Sequence, residues 1–431
     1  MKKRVWAALL AAGMAVFSMG GCGSAVPSDE NGAADTSDEA LEAAVEDMLA
    51  DAALETDGLS EIEAHLIGVV TYDVADAEVV AFRQYLESYI TECFPGVKFL
   101  YTDAVISAEE EAASLEHLAD AGVDGIMSFI TYNLDEAVNY CADKGIYYMM
   151  ASGTVAEEEM AKVADNSYFV GVIGPGNEME YEAGRRMAAH FIEHEAGDSY
   201  FVLSGGGYYG NEMHLLRTMG ILDELQAHYD VTFEQSSRDI ATSGDPVTLK
   251  AGNLSVTVCP GFMTLADHYQ LAETCLLDSG SPVAMAVMAA GDMPKLCAKE
   301  DILFGMIDFF TEDNQRYFVK GGLDYLAGKY GSMIGPSFAA MYNAVTGYAD
   351  EFRQGGKAFS LTQNFWEAAS VDEYLEKYAL ASGLYVNAYN YEDLYAVCKV
   401  YNPSATMADF EKLTTASSFE EASARRALNQ K

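Results

Sequence analysis

From Ala64 onward the chain alternates between two rhythms. Short, nearly unbroken apolar runs are followed by longer stretches in which apolar residues return at helical spacing. The first pair sets the pattern. Leu66, Ile67, Val69 and Val70 form a run suited to a strand covered on both faces. Val79, Phe82, Leu86 and Tyr89 then mark one inward stripe of a helix, with Asp73 or Asp76 placed to cap it.

The unit recurs. Strands are expected at 97–101, 125–130 and 146–150, with helices at 107–121 and 133–144 between them, the second closed by Gly145. A second series follows, with strands at 168–172, 200–203, 231–233, 254–259, 282–288 and 302–306. Its helices fall at 177–195, 211–228 and 264–277. Strand–helix units with short connections predict an α/β fold of two doubly wound parallel sheets. Ligands in such sheets sit beyond the carboxyl ends of the strands, which makes Thr71-Tyr72-Asp73 the first place to look.

The first 61 residues break the rhythm. Lys2, Lys3 and Arg4 precede an apolar stretch, Val5 to Phe17, too short to span a bilayer. Residues 23–61 contain no Lys or Arg and are rich in Asp, Glu, Ala, Ser and Gly, as a solvated tether should be. Between them, Ser18-Met19-Gly20-Gly21-Cys22-Gly23 resembles a bacterial lipobox, although Met19 stands where Leu is usual. The resemblance implies that Cys22 carries a lipid and becomes the mature N-terminus, anchoring the protein without spanning the membrane.

At 431 residues the chain is too long for one ordinary core. Its formal net charge of −42 excludes a nucleic-acid partner, which needs clustered Lys and Arg, and suits solubility outside a cell. The seven Cys include no CxxC; Cys141, Cys275 and Cys398 sit in apolar runs and read as core residues.

Two short motifs suggest chemistry. Gly205-Gly206-Gly207-Tyr208-Tyr209-Gly210 is a GxGxxG between a strand and a helix, with Glu234 downstream where a ribose-binding acid would stand. That acid comes later than a dinucleotide site wants, and a loop facing a cleft, with Tyr208 or Tyr209 stacking on a ligand, is the competing reading. His190-Phe191-Ile192-Glu193-His194 is an HxxEH whose imidazoles could share one helix face around zinc. Phe191 and Ile192 also fit the core stripe of that helix.

Several phrases resemble the type I periplasmic-binding-protein family, over roughly residues 61–364. They are LIGVVTYD, ADAGVDGIMSF, AVNYCADKGIYYMMAS, FVGVIGPGNEMEYEAGRRMAAHFI, LLRTMGILDEL and ILFGMID. The resemblance implies two lobes joined by three crossings, near 172–176, 331–335 (with 332–334 as a hinge strand) and 359–365. Lobe one would comprise 62–172 with 335–362, including a helix over 337–350. Lobe two would comprise 173–334 with 363–400. Residues 1–21 would be the leader, 22–61 the tether and 401–431 an extension.

It further implies a binding protein without cofactor or catalysis, closing on a small polar ligand, most often a sugar. Its partner would be an ABC permease or a membrane sensor. It would sit lipid-anchored on the outer face of the cell membrane, or in the periplasm where there is an outer membrane. The matching strand ends supply Tyr72, Asp73, Tyr132 and Ser152 from lobe one, and Asn177, Tyr208, Asp292 and Asp308 from lobe two. Tyr72 and Tyr208 would be stacking platforms and the three Asp acceptors. The sequence departs from the sugar-binding pattern at Ser152-Gly153, at Gly291-Asp292 and at Gly335-Pro336, where a hinge Gln is usual. An exported enzyme using either motif, or a surface structural protein whose cleft is filled by side chains, are the competing classes.

Overall fold

The computed structural model describes residues 64–194, 196–381 and 387–429; the leader, Cys22 and the whole tether lie outside them. Two parallel-stranded sheets organise the chain. The first contains β1 (His65–Thr71), β2 (Val97–Ala104), β3 (Gly125–Ser128), β4 (Tyr147–Met150), β5 (Phe169–Gly174) and β12 (Phe359–Thr362). Its order is β12-β5-β4-β3-β1-β2 and every pairing is parallel. The second contains β6 (Ser199–Gly205), β7 (Val247–Ala251), β8 (Leu254–Pro260), β9 (Val283–Ala286), β10 (Leu303–Phe309), β11 (Tyr325–Lys329) and β13 (Trp366–Ala368). Its order is β13-β11-β10-β9-β6-β8-β7, parallel except for the antiparallel edge strands β13 and β7.

Fifteen α-helices of five residues or more flank the sheets among the described residues. They are α1 (Ala77–Gln84), α2 (Ala108–Asp120), α3 (Leu134–Lys144), α4 (Glu157–Val163), α5 (Gly176–Glu193), α6 (Glu212–Tyr229), α7 (Ser237–Ala241) and α8 (Ala266–Ser279). Then come α9 (Met293–Glu300), α10 (Glu312–Lys320), α11 (Gly335–Asn343), α12 (Val371–Ala381), α13 (Tyr391–Val397), α14 (Met407–Thr415) and α15 (Phe419–Asn429). Local chemistry sets their starts. The Asp76 carboxylate accepts the Glu78 amide at 2.8 Å to cap α1, and Ser107 caps α2 in the same way. Gly145 closes α3 at φ 76°, a conformation that costs a residue with a Cβ. α1 runs on through a π-helical turn, Tyr85–Ile90, which stacks Tyr85 on Tyr89 at 5.3 Å.

Several expected elements differ. Residues 231–233 are not a strand: the Phe233 amide donates to the Gln226 side chain at 2.8 Å instead of a sheet neighbour. The edge place goes to β7, a hairpin partner of β8. Residues 332–334 form a 3-10 turn, not a hinge strand. The helix expected over 337–350 gives way at Ala344 to a π-turn and a 3-10 turn.

The chain leaves the first sheet after β5, returns before β12 and leaves again before β13. The lobe boundary expected in the C-terminal part needs correction. α12 does pack with lobe two, where the Tyr374 hydroxyl donates to the Thr311 carbonyl at 2.7 Å. α13 packs on lobe one instead: Asn343 Nδ2 donates to the Val397 carbonyl at 2.9 Å, and the Tyr391 amide to the Tyr89 hydroxyl at 2.9 Å. Residues 387–400 therefore belong with α14 and α15 and not with lobe two. Tyr389 and Tyr374 are fully buried, so these tyrosines serve packing.

One buried core runs through both sheets. Phe82 of α1 joins them, meeting Phe129 at 5.4 Å and Phe309 of β10 at 5.6 Å. Each such ring contributes roughly 2–3 kcal/mol by burial. The carboxyl edges of the two sheets meet just above this contact.

Candidate functional site

The polar groups at that meeting point are placed by strand ends. Lys329, the last residue of β11, reaches from lobe two and is 3% exposed. Its ammonium donates to Glu78 Oε1 at 3.0 Å, to the Ser152 carbonyl at 3.1 Å and to Ser152 Oγ at 3.3 Å. Ser152 Oγ in turn donates to Glu78 Oε1 at 3.0 Å. Glu78 lies in the first turn of α1 and Ser152 just past β4, so one lobe-two cation is held by three lobe-one acceptors. Buried and multiply bonded, this pair costs more to break from one side than a surface ion pair, because removing one partner strands the other.

Tyr72 and Asp308 complete the group. The Tyr72 hydroxyl donates to Asp76 Oδ1 at 3.0 Å. Burial raises its pKa well above the ordinary value, and Glu78, Asp76 and Asp308 add to the rise. Asp308 accepts from Asn314 Nδ2 at 2.9 Å. Burial pushes its carboxyl up to about 6, opposed by the Asn314 bond and reinforced by the charges of Asp76 and Glu78. Glu78 alone of these carboxylates is paired with Lys329; burial raises the Asp76 carboxyl too, and the charge of Glu78 adds to the rise in both Asp76 and Asp308.

A carboxyl whose folded pKa lies above its unfolded value of 3.8 binds more protons when folded between 3.8 and about 6. Its contribution to stability is full below 3.8 and lost as pH rises through 6. Asp308→Asn should therefore stabilise the protein at pH 7.5 by about 1–3 kcal/mol, the gain fading towards pH 4. Urea unfolding of both proteins at pH 4.5 and 7.5 checks this. An advantage equal at the two pH values would show that ionisation of Asp308 is not its source.

The remaining expected residues are more scattered. Asp73 is exposed and its Oδ1 accepts the Ala75 amide at 2.9 Å, a turn bond. Tyr132 is 46% exposed, on a loop held by Glu111, whose Oε2 accepts the Tyr132 and Asn133 amides at 2.8 and 3.2 Å. Tyr208 is 57% exposed and meets Tyr209 edge-on at 5.1 Å, while Tyr209 stacks on Phe262 at 5.8 Å. Asn177 is exposed in the first turn of α5. Asp292 is exposed at the start of α9 and pairs with Lys295 at 2.5 Å. Of the eight, the structure brings Tyr72, Ser152 and Asp308 together. Glu78, Asp76, Asn314 and Lys329 belong with them and were not among the expected site residues.

Both short motifs have structural occupations. In the glycine-rich loop the Gly206 amide donates to His214 Nδ1 at 2.9 Å. A Cβ at Gly207 would lie 2.4 Å from the Ala241 carbonyl oxygen, so the loop packs against protein. Glu234 follows no strand. In HxxEH, His194 Nδ1 is 2.7 Å from the His190 carbonyl oxygen, and the His190 ring packs on Tyr325 at 5.0 Å. Among the described residues no group of His, Cys, Asp and Glu is arranged to hold a metal ion. Arg217 is buried and bonded to Glu180 and the Val287 carbonyl, away from solvent. A Gln does stand at a crossing: Gln363, 1% exposed, donates to the Met333 carbonyl at 3.1 Å and ties the third crossing to the second.

No protein-family model matches the sequence, and no curated protein shows significant similarity to it. Solved structures do match. The periplasmic binding protein component of the arabinose ABC transporter from Shewanella sp. ANA-3 superposes with a TM-score of 0.53 at 14% identity, over 73% of this chain and 94% of that one. A galactofuranose binding protein gives 0.54 at 12% identity, over 74% and 100%. An ABC transporter solute binding protein from Bacillus halodurans C-125 with bound myo-inositol gives 0.53 at 17% identity, over 73% and 98%. The chain has the type I periplasmic-binding-protein fold. These three solved proteins are binding proteins.

Proposed function

We propose that this chain is a lipid-anchored extracytoplasmic solute-binding protein that captures a small polyhydroxylated ligand, a sugar first, between its lobes for an ABC importer or a membrane sensor. The observation that carries the reading is the Lys329–Glu78–Ser152 junction. It joins the carboxyl ends of two parallel sheets, where this architecture places ligands. Lobe parting frees Glu78, Ser152, Lys329 and Asp308, whose donors and acceptors match hydroxyl groups, and Tyr72 flanks them. The surplus of Asp76, Glu78 and Asp308 over Lys329 favours a second class, an amine-bearing sugar or polyol, and disfavours sugar acids and phosphates.

Calorimetric titration of residues 23–431 with neutral sugars, inositol, amino sugars and sugar phosphates tests it. A neutral or amine-bearing compound should bind, and Glu78→Gln with Asp308→Asn should weaken it at least tenfold. Binding of anionic sugars alone, or indifference to both substitutions, would refute the site. The anchor is tested apart: Cys22→Ala should move the protein from the membrane fraction to the soluble one, and an unchanged distribution would remove the anchor.

A further inference from the structure

The C-terminal segment holds two of the chain's crossings at one point. Ser417, fully buried, lies between α14 and α15. Its carbonyl accepts from Trp366 Nε1 at 2.9 Å and from the Tyr330 hydroxyl at 3.3 Å. Its Oγ accepts the Asn364 amide at 2.8 Å and Asn364 Nδ2 at 3.1 Å. Tyr330 directly precedes the second crossing; Asn364 lies in the third and Trp366 opens β13 just after it. Tyr330 and Trp366 also stack at 3.8 Å, and Phe419 of α15 closes over Trp366 at 5.3 Å.

The rest of the segment is fastened to lobe one. Phe410 of α14 packs on Phe359 of β12 at 5.4 Å. The Tyr85 hydroxyl donates to the Tyr389 carbonyl at 2.7 Å, and the Tyr389 hydroxyl to the Thr414 carbonyl at 3.2 Å. Arg426 pairs with Asp393, both side chains under one-tenth exposed. Within the segment, Arg425 lies over the Tyr389 ring at 4.8 Å. The solved proteins of this fold are covered almost whole, while about a quarter of this chain is left over, more than the residues before Ala64 account for.

We propose that residues 387–429 are a built-in brace on the hinge, pinned at Ser417, that opposes separation of the lobes. Separation changes the path of the second and third crossings relative to each other. Four hydrogen bonds at Ser417, with the stacked Tyr330 and Trp366 rings and Phe419 edge-on to Trp366, hold those paths together, so opening breaks or strains them. The brace sets the balance between open and closed forms, and with it the rate at which a ligand enters. The inference rests on the reading of two lobes that part, and its test needs no ligand.

The test is amide hydrogen exchange on the intact mature chain, comparing wild type with Ser417→Ala and Trp366→Phe, singly and together. The reporters are the amides of Met333 and Gln363, at the two crossings but not bonded to Ser417. The amides of β3 and β9 are the reference. The double variant should speed exchange at Met333 and Gln363 at least tenfold while β3 and β9 change less than twofold. Small-angle scattering should show a larger radius of gyration. Unchanged crossings would overturn the proposal. So would equal acceleration everywhere, which would make the segment a part of the general core. Should the double variant fail to fold, Ser417→Ala alone gives the same comparison with a smaller expected change, about threefold. If no ligand is ever found, these rates still decide the brace.

Discussion

Gly184→Ala should destabilise the protein by about 3 kcal/mol, although the same exchange on an exposed helix would stabilise it by about 1 kcal/mol. The sign is what makes the result informative. α5 and α6 cross at two glycines. A Cβ on Gly184 would lie 2.0 Å from the Arg217 carbonyl oxygen, and a Cβ on Gly220 2.1 Å from that of Tyr181. Both obstacles are backbone, so no rotamer change relieves them. The helices must separate, and the packing of Ala183, Met187 and Phe191 against lobe two goes with them. Thermal unfolding should show a loss of roughly 3–5 °C for either glycine. The double variant should lose less than the sum, because one displacement accommodates both methyl groups. A loss under 1 kcal/mol would mean the interface yields more easily than its geometry implies.

This crossing also shows why part of the fold was legible in the residues. The phrases EYEAG and LLRTMG carry Gly184 and Gly220 at positions where a helical glycine is otherwise costly. Buried parallel strands were legible for a similar reason: a strand covered on both faces must be apolar throughout, and β1 is buried at every position. The edges were not. β7 reads Val-Thr-Leu-Lys-Ala, half polar, because one of its faces meets solvent, and its partner is fixed by the turn at Gly252 and not by its own composition. The apolar run 231–233 was spent on a loop whose amide is bonded by a side chain, a competition invisible to periodicity.

The site was legible in part. Residues just after β1 and β4 and at the end of β10 announced Tyr72, Ser152 and Asp308, since topology alone places strand ends together. Lys329 escaped because a lysine in a buried strand is rare and β11 is short. Glu78 read as an ordinary acidic residue in a helix's first turn. Their partnership spans 251 residues and depends on how the lobes meet, which no local pattern encodes. Asp292 looked equivalent to Asp308 in the sequence, yet one pairs with a surface lysine and the other faces buried carboxylates.

Arg217→Met should cost about 3–5 kcal/mol, because it leaves the Glu180 carboxylate in the interior without its cation. Glu180 is fully buried; its Oε2 accepts from Arg217 Nε at 2.5 Å, while Oε1 accepts the long bond of Thr154 Oγ1 at 3.4 Å. Arg217 further donates to the Val287 carbonyl at 2.7 Å and lies over the Phe365 ring at 5.4 Å. One guanidinium thus ties α5, α6, the end of β9 and the third crossing. Glu180→Gln alone should cost less, since an amide keeps a bond to Arg217, and Glu180→Gln with Arg217→Met should recover at least 1 kcal/mol of the arginine loss. That recovery is the signature of a stranded charge: loss of packing around Phe365 would persist in the double variant and add. Urea unfolding of the three variants against wild type measures it, and strict additivity would assign Arg217 to packing. In the fraction that folds at 10 °C, the affinity for any ligand that the proposed titration identifies should change less than twofold, because Arg217 is 6% exposed and its hydrogen bonds go to Glu180 and the Val287 carbonyl. A tenfold loss of affinity without loss of stability would reverse that assignment and make the arginine part of the ligand site.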